Sequence, residues 1–396
     1  MRTPTRRERP VLGWRGRTEV LGPRQSLLVL GPTQSGKTSG VVVPAILRWR
    51  GPVVVTSVKN DVVDATYAWR AAVGPVTVLN PAEGWSWDPL ESVATWADAW
   101  RVASDLTRSP HANPSAEHDF WTSLAARVIA ALFVAAREAG RRTHDVAVAL
   151  ARRVVPDWAY DVRDDTAAEV LRGVAGFESR TWDSIATTAD AALTPWLTDA
   201  ASLAIVPTVR AGGTVYLCAP RRDHRTWESL FRAALRAALD DHEREGREPL
   251  LVVLDEAASV APLDDLDLLA ATASGLGVTL VTVFQDVAQI TSRFGDKAAT
   301  IINNHVSRLV LSGSADASLT RYLPELEHAT DRRGATTSPH SLRTLPPRRA
   351  RLVSGHRVVV TLRLLPWWRW PRLRARGSRG RVAYDRLQPG RPPTGH

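Results

Sequence analysis

The chain has 396 residues, which at roughly 100–200 residues per domain suggests two or three domains. With 44% hydrophobic and 23% charged residues it has an ordinary globular composition, which excludes wholesale disorder and collagen-like repeats. One cysteine, Cys218, excludes a disulfide framework and a cysteine-built zinc site, and the net charge of +10 is unevenly spread.

From Arg332 to the C-terminus there are 16 Arg and one acid, Asp385, a net +15. Residues 1–24 add +5, which leaves −10 on residues 25–331. An acidic body with basic ends attracts polyanions at long range only through those ends. On this reading the C-terminal region is the main contact for DNA or an acidic partner, and deleting residues 370–396 should weaken it. Only three of the 51 basic residues are lysines (Lys37, Lys59 and Lys297), so arginine is the default cation here.

Residues 26–30 (Ser-Leu-Leu-Val-Leu) form a short apolar run before Gly31, the mark of a buried strand. A glycine-rich turn and a helix over about 36–49 follow. Residues 53–58 repeat the apolar strand pattern, Asn60 can cap a helix to about Val73, and 76–79 is strand again. Strands alternating with helices of this length predict a parallel α/β sheet.

The pattern changes near Asp88. Phe120, Leu124, Val128 and Leu132 recur every four residues beside a second row, Trp121, Ala125, Ile129 and Phe133, so that helix is buried on a wide face. Residues 88–201 read as an all-helical insertion. Its apolar run 128–136 is too short for a membrane span, and nothing in the N-terminal residues reads as a signal peptide. Strands resume at 214–219, 250–254, 278–284 and 308–311, with a helix around residues 227–239. Beyond Arg332, loops and one edge strand over 357–365 are expected, then disorder. The predicted organisation is an NTPase domain in two parts, 1–87 and 202–366, the insertion 88–201, and a basic Trp/Arg-rich tail 367–396.

Gly31-Pro32-Thr33-Gln34-Ser35-Gly36-Lys37-Thr38 is a complete P-loop, G-x-x-x-x-G-K-[ST], with a strand before it and a helix after it. Its glycines let backbone N–H groups turn toward phosphate oxygens, and the helix N-terminus adds positive potential. Lys37 is expected on the β- and γ-phosphates of ATP, and the Thr38 hydroxyl on Mg²⁺. Residues 251–256 (Leu-Val-Val-Leu-Asp-Glu) supply a hydrophobic strand ending in two acids: Asp255 to hold Mg²⁺, Glu256 to polarise the attacking water. Gln285, at the end of the next core strand, is positioned to contact the γ-phosphate or its water, or is an ordinary glutamine at a helix start. Lys59 and Asp61 end the second strand, where ligands of parallel sheets collect; a plain helix cap fits them as well.

The ten histidines show no metal spacing, so His111, His118, His305 and His328 read as surface or core residues, and Cys218 as a small buried hydrophobe. Trp367, Trp368 and Trp370 among arginines suit nucleic-acid stacking, a membrane interface, or a packed anchor.

In this order, the motifs resemble the cytoplasmic part of the coupling proteins of type IV secretion and conjugation systems, the TraG/TraD-like ATPases. The resemblance runs from Leu12 to Trp368. Its specific stretches are residues 26–38, 53–61, 85–90 (Trp-Ser-Trp-Asp-Pro-Leu), 119–121, 251–256, 277–289, 301–304 and 364–368. It implies a RecA-like motor core with an all-α domain, assembled as a homo-hexamer around a channel. Such rings hydrolyse ATP to pass DNA, here expected single-stranded, with its relaxase or effector cargo to membrane-embedded channel components. Lys37, Thr38, Asp255, Glu256 and Gln285 match the family's nucleotide site.

Two departures stand out. The family's usual leading membrane helices have no counterpart before Ser26, so the expectation is a cytoplasmic protein held at the membrane's inner face by a partner, or a soluble relative with a different docking mode. Where some relatives carry an arginine finger this chain has Ser274, which leaves Arg293, Arg308 or Arg321 as candidates. Alternative readings are an FtsK-like double-stranded DNA translocase and a non-motor cargo adaptor.

Overall fold

The computed structural model describes residues 3–22, 24–108, 116–218, 224–246, 248–260, 263–314, 345–354 and 357–378. They fall into two compact units: residues 1–78, 207–218 and 241–388 in one, residues 79–206 and 219–240 in the other.

In chain order the first unit begins with a hairpin, β1 (Val11–Arg15) and β2 (Arg17–Val20). Next come β3 (Leu27–Leu30), α1 (Val43–Arg48), β4 (Val53–Ser57), α2 (Asp61–Ala71) and β5 (Val76–Leu79). The second unit holds β6 (Trp85–Ser86), α3 (Trp96–Thr107), α4 (Ala116–Glu138), α5 (Thr143–Ala151), α6 (Asp165–Ala175), α7 (Ser179–Leu193) and β7 (Ala201–Ser202). The chain continues through α8 (Ile205–Arg210), β8 (Thr214–Cys218), α9 (His224–Glu245), β9 (Leu250–Leu254), α10 (Leu266–Thr272) and β10 (Val278–Phe284). Last come α11 (Val287–Phe294), α12 (Ala298–Asn304), β11 (Ser307–Leu311), β12 (Arg349–Ser354) and β13 (Arg357–Arg363).

Eleven strands form one sheet, ordered β2-β1-β13-β12-β11-β3-β10-β9-β4-β8-β5. From β11 to β8 every pairing is parallel, and from β11 out to β2 every pairing is antiparallel. The parallel strands are buried along their whole length, which is why they read as continuous apolar runs rather than alternating ones. One face packs Val29, Val55, Val253 and Val283 against Val41, Ile46 and Trp49 of the α1 region and Val62, Val63 and Tyr67 of α2. On β10, Phe284 meets Phe294 of α11 edge to face, with 6.1 Å between ring centroids.

Arg70 on α2 is fully buried yet satisfied. Its guanidinium donates to the carbonyls of Trp49 (2.7 Å) and Gly51 (2.8 Å) and to the Thr214 hydroxyl (2.6 Å), so it closes the C-terminal end of α1. Burial lowers its pKa to about 10, which leaves it charged at neutral pH.

The antiparallel wing differs from the sequence reading. The edge strand expected over 357–365 is β13, and it lies inside the sheet between β12 and β1. The hairpin β1–β2 covers that edge. Gly13, at φ +152°, breaks the register of the hairpin, and a Cβ there would sit 2.8 Å from the Leu362 Cβ of the next strand. Gly13 marks a bulge where two backbones approach closely.

The expected disorder from Trp367 is also corrected. Residues 367–369 form a helical turn and Pro371–Arg374 a second. Trp367 and Leu373 are buried against Val43, Leu47 and Ala65. Arg376 donates to the Leu47 carbonyl (2.8 Å) and stacks 4.2 Å over the Trp69 ring. Residues 379–396 lie outside the described residues.

In the helical unit, α4 packs against α3, α5, α6 and α7. It is long and apolar enough to cross a membrane by length and composition, but residues 128–136 are all buried in this bundle. The 85–90 stretch organises the unit's entry. Trp85 and Trp87 are buried, and the Trp87 carbonyl accepts from the Trp196 indole N–H (2.7 Å). The Asp88 carboxylate accepts from the Leu90 N–H (3.0 Å) and the Thr143 hydroxyl (2.5 Å).

Candidate nucleotide site

A cleft of about 440 Å³ opens at the carboxyl ends of β3, β4, β9 and β10. Its lining includes Thr33, Gln34, Gly36, Lys37 and Thr38 from the loop after β3, Lys59 and Asp61 after β4, Asp255 and Glu256 after β9, and Gln285 after β10. Gly31, Pro32 and Ser35 complete the loop itself.

The loop's shape follows from its residues. Gly36 and Gln34 both take left-handed backbone angles, φ +94° and +64°, and a Cβ on Gly31 would meet Leu311 and Ser35 at 2.8 Å. Lys37 folds back over the loop, its Nζ donating to the carbonyls of Gly31 (2.5 Å) and Pro32 (2.8 Å). Burial lowers its pKa, while Asp255, Glu256 and Asp286 act in the opposite direction. The Ser35 hydroxyl is buried and has no hydrogen-bond partner. A loop with a half-buried ammonium and glycines that allow left-handed turns is chemically fitted to phosphate oxygens.

Across the cleft, β9 continues its ladder past Leu254. The Asp255 N–H donates to the Thr56 carbonyl and the Ala257 N–H to the Val283 carbonyl, both at 3.2 Å. Glu256 lies between them in the left-handed region, φ +57°, a strained position for a residue with a side chain. The Thr38 hydroxyl and an Asp255 carboxylate oxygen are 3.4 Å apart. Asp255 is 7% exposed, and its pKa is raised to about 7, first by burial, then by Glu256 and Asp61; Lys37 and Thr38 oppose the shift. Crowded carboxylates beside a hydroxyl form a hard-oxygen set that suits Mg²⁺. No group of three or more acidic, histidine or cysteine side chains among the described residues can hold a metal alone, so the ion's remaining ligands would be phosphate and water.

β10 lies between β9 and β3, so Gln285 enters the cleft between the acids and the loop. Its backbone N–H donates to the Gln289 side chain (2.9 Å), and helix α11 is capped by Asp286 instead (2.7 Å). Asn60 makes no side-chain cap, while Asp61 accepts from the Val62 N–H (2.9 Å). Arg308 bonds the carbonyls of Ile302, His305 and Asn303, tying it to the end of α12. Arg321, His111 and His328 lie outside the described residues. His305 is buried between Thr282 and the Ile301 carbonyl, and Cys218 is a buried free thiol.

Trp367 and Trp368, read from the sequence as stacking, interface or packed-anchor residues, also line this cleft, a role the sequence reading did not assign to them. They were placed in a tail because Arg and Pro surround them. The signal that pointed to them was only that 364–368 belonged to the resemblance.

This fold and loop define a P-loop NTPase on a mostly parallel α/β sheet. The family model for type IV secretory system conjugative DNA transfer matches residues 4–192, and that for the TraM recognition site of TraD and TraG matches residues 249–346. The chain belongs to the family of conjugative coupling proteins of type IV secretion systems.

Among solved structures it is similar to the bacterial conjugative coupling protein TrwBdeltaN70 in complex with sulphate, at 18% identity over 86% of each chain and a TM-score of 0.66. It is also similar to the plasmid coupling protein TrwB in complex with ADP and Mg²⁺, at 18% identity over 87% of this chain and 86% of that one, TM-score 0.67. The VirB4 structure of Thermoanaerobacter pseudethanolicus matches at 13% identity over 90% and 95%, TM-score 0.53. At these identities the likeness establishes the fold. No curated protein matches the sequence.

Proposed function

We propose that the chain is an ATP-hydrolysing motor that couples DNA, or DNA with its relaxase, to a type IV secretion pore and drives its translocation. The observation that carries this reading is the convergence of Lys37, Thr38, Asp255, Glu256 and Gln285 on one cleft in a chain of this family. The similar TrwB is known in complex with ADP and Mg²⁺ and with a non-hydrolysable ATP analogue, which supports the same ligands here.

In this mechanism the loop N–H groups and Lys37 hold the β- and γ-phosphates and carry the charge that develops on them. Thr38 and Asp255 would hold Mg²⁺, which when bound would neutralise charge on the β- and γ-phosphates. Glu256 takes the proton of the attacking water, and Gln285 orients that water. The motor works as a homo-hexamer at the cytoplasmic face of the membrane, with channel components as partners and single-stranded DNA as track.

The test is ATP hydrolysis by purified protein with and without single-stranded DNA, beside Lys37→Ala and Glu256→Gln. DNA should stimulate turnover, and both variants should lower it by about 10²-fold or more. Lys37→Ala should also weaken MgATP binding about tenfold to a hundredfold. ATP binding without turnover at any protein concentration would refute the motor in favour of a cargo adaptor. Equal stimulation by duplex DNA would instead favour a double-stranded DNA pump.

A further inference from the structure

The nucleotide cleft has two chemically different ends. One is the loop, the lysine and the carboxylates. The other is lined by Val43, Ala65, Trp367 and Trp368. Val43 is the first residue of α1 and follows the π-helical turn Thr38–Val42 that starts next to Lys37. Ser39, between them, also lines the cleft. The cleft thus runs from a phosphate-binding end, past a hydroxyl, to an aromatic end.

The two indoles have different roles. Trp367 is 5% exposed, packed on Val43, Leu47, Ala65 and Leu373. Gly377 lies against its ring so closely that a Cβ there would come within 2.3 Å, so this ring is locked. Trp368 stands edge to face on Trp367, with centroids 5.6 Å apart and planes at 85°, and is only half-buried. The locked ring therefore holds a second, partly open ring in a fixed orientation at the cleft wall.

We infer that Trp368 is the nucleobase platform of this site, stacking the purine of a nucleoside triphosphate whose phosphates lie on the 31–38 loop. This deepens, and rests on, the nucleotide-site reading above. Stacking on an aromatic face is tolerant of base identity, because every base has a π-face. The site is therefore expected to take ATP and GTP with similar affinity.

The experiment is titration calorimetry of the full chain with MgATP, MgGTP and magnesium tripolyphosphate, on the natural protein, Trp368→Ala and Trp368→Phe. Trp368→Ala should weaken ATP and GTP about tenfold to a hundredfold, the range that loss of one base–aromatic stack represents. Tripolyphosphate, which has no base, should bind the variant as it binds the natural protein. Trp368→Phe should restore most of the loss. Unchanged ATP affinity in Trp368→Ala overturns the inference. So does an equal loss for tripolyphosphate, which would mean the ring merely supports the cleft. Binding of tripolyphosphate and ATP with equal affinity by the natural protein refutes the base platform alone. Binding of neither refutes the nucleotide site as a whole.

Discussion

At the scale of single residues, buried polar groups divide into those already matched and those left for a ligand. Asp255, crowded by acids at the cleft, gains from a cation that the cleft would bind. His305 shows the opposite case. One ring nitrogen bonds the Ile301 carbonyl (2.7 Å) and the other the Thr282 hydroxyl (3.0 Å), and burial lowers its pKa to about 4. Neutral imidazole satisfies both, donating to the carbonyl and accepting from the hydroxyl. An unfolded histidine titrates near 6.5, so between about pH 6.5 and 4 the unfolded chain holds a proton the folded one refuses. Stability should be full above about pH 6.5 and fall as pH drops toward 4, by up to about 3 kcal/mol from this residue. Urea midpoints measured across that window should fall less steeply for His305→Gln. Identical slopes would show that His305 is not the titrating group.

At the scale of elements, the parallel strands were readable because each is a short, mostly apolar run between turn residues. The long helix α4 was readable from its four-residue spacing. In the same unit Asp88 does more than its place in a motif indicates. It caps the turn at Leu90 and takes the Thr143 hydroxyl at the start of α5. Asp88→Ala removes a cap worth about 1 kcal/mol and leaves the Thr143 hydroxyl unmatched, so a loss of about 2–3 kcal/mol is expected. Asp88→Asn should recover about half. Thermal unfolding of both variants checks this, and a Tm for Asp88→Ala equal to that of the natural chain would contradict it. The antiparallel wing was not readable. Gly13 and the arginines around it have no strand periodicity, and β1 exists because β13 offers it an edge.

At the scale of the whole molecule, the charge split bears on cargo. The folded arginines of the C-terminal region, such as Arg376, are committed to Trp69 and the Leu47 carbonyl. A deletion from residue 370 would therefore remove packing as well as charge. Removing 379–396 takes away four arginines and Asp385, a net +3, and spares the packed segment. If this segment contacts single-stranded DNA, the salt dependence of log K should flatten by up to about 2 units of slope, at roughly 0.7 per neutralised phosphate. Fluorescence anisotropy over a salt series measures this, and an unchanged slope would move the DNA contact elsewhere. ATP binding should be untouched, since all the described residues that line the nucleotide cleft are kept.

The sequence by itself determined the P-loop, the acidic strand end, the alternation of strand and helix, and the family. Each is written in contiguous residues or a local period, and a strand–loop–helix needs no distant partner to be recognised. Only the tertiary structure decided the rest. Strand order places Gln285 between the acids and the loop, the hairpin at the N-terminus closes over β13, and a segment that looked like a basic tail carries Trp367 and Trp368 into the nucleotide cleft. The physical reason is that burial of an aromatic or an edge depends on which surface the remainder of the chain presents to it. That surface is assembled from residues hundreds of positions apart, and no local spacing encodes it.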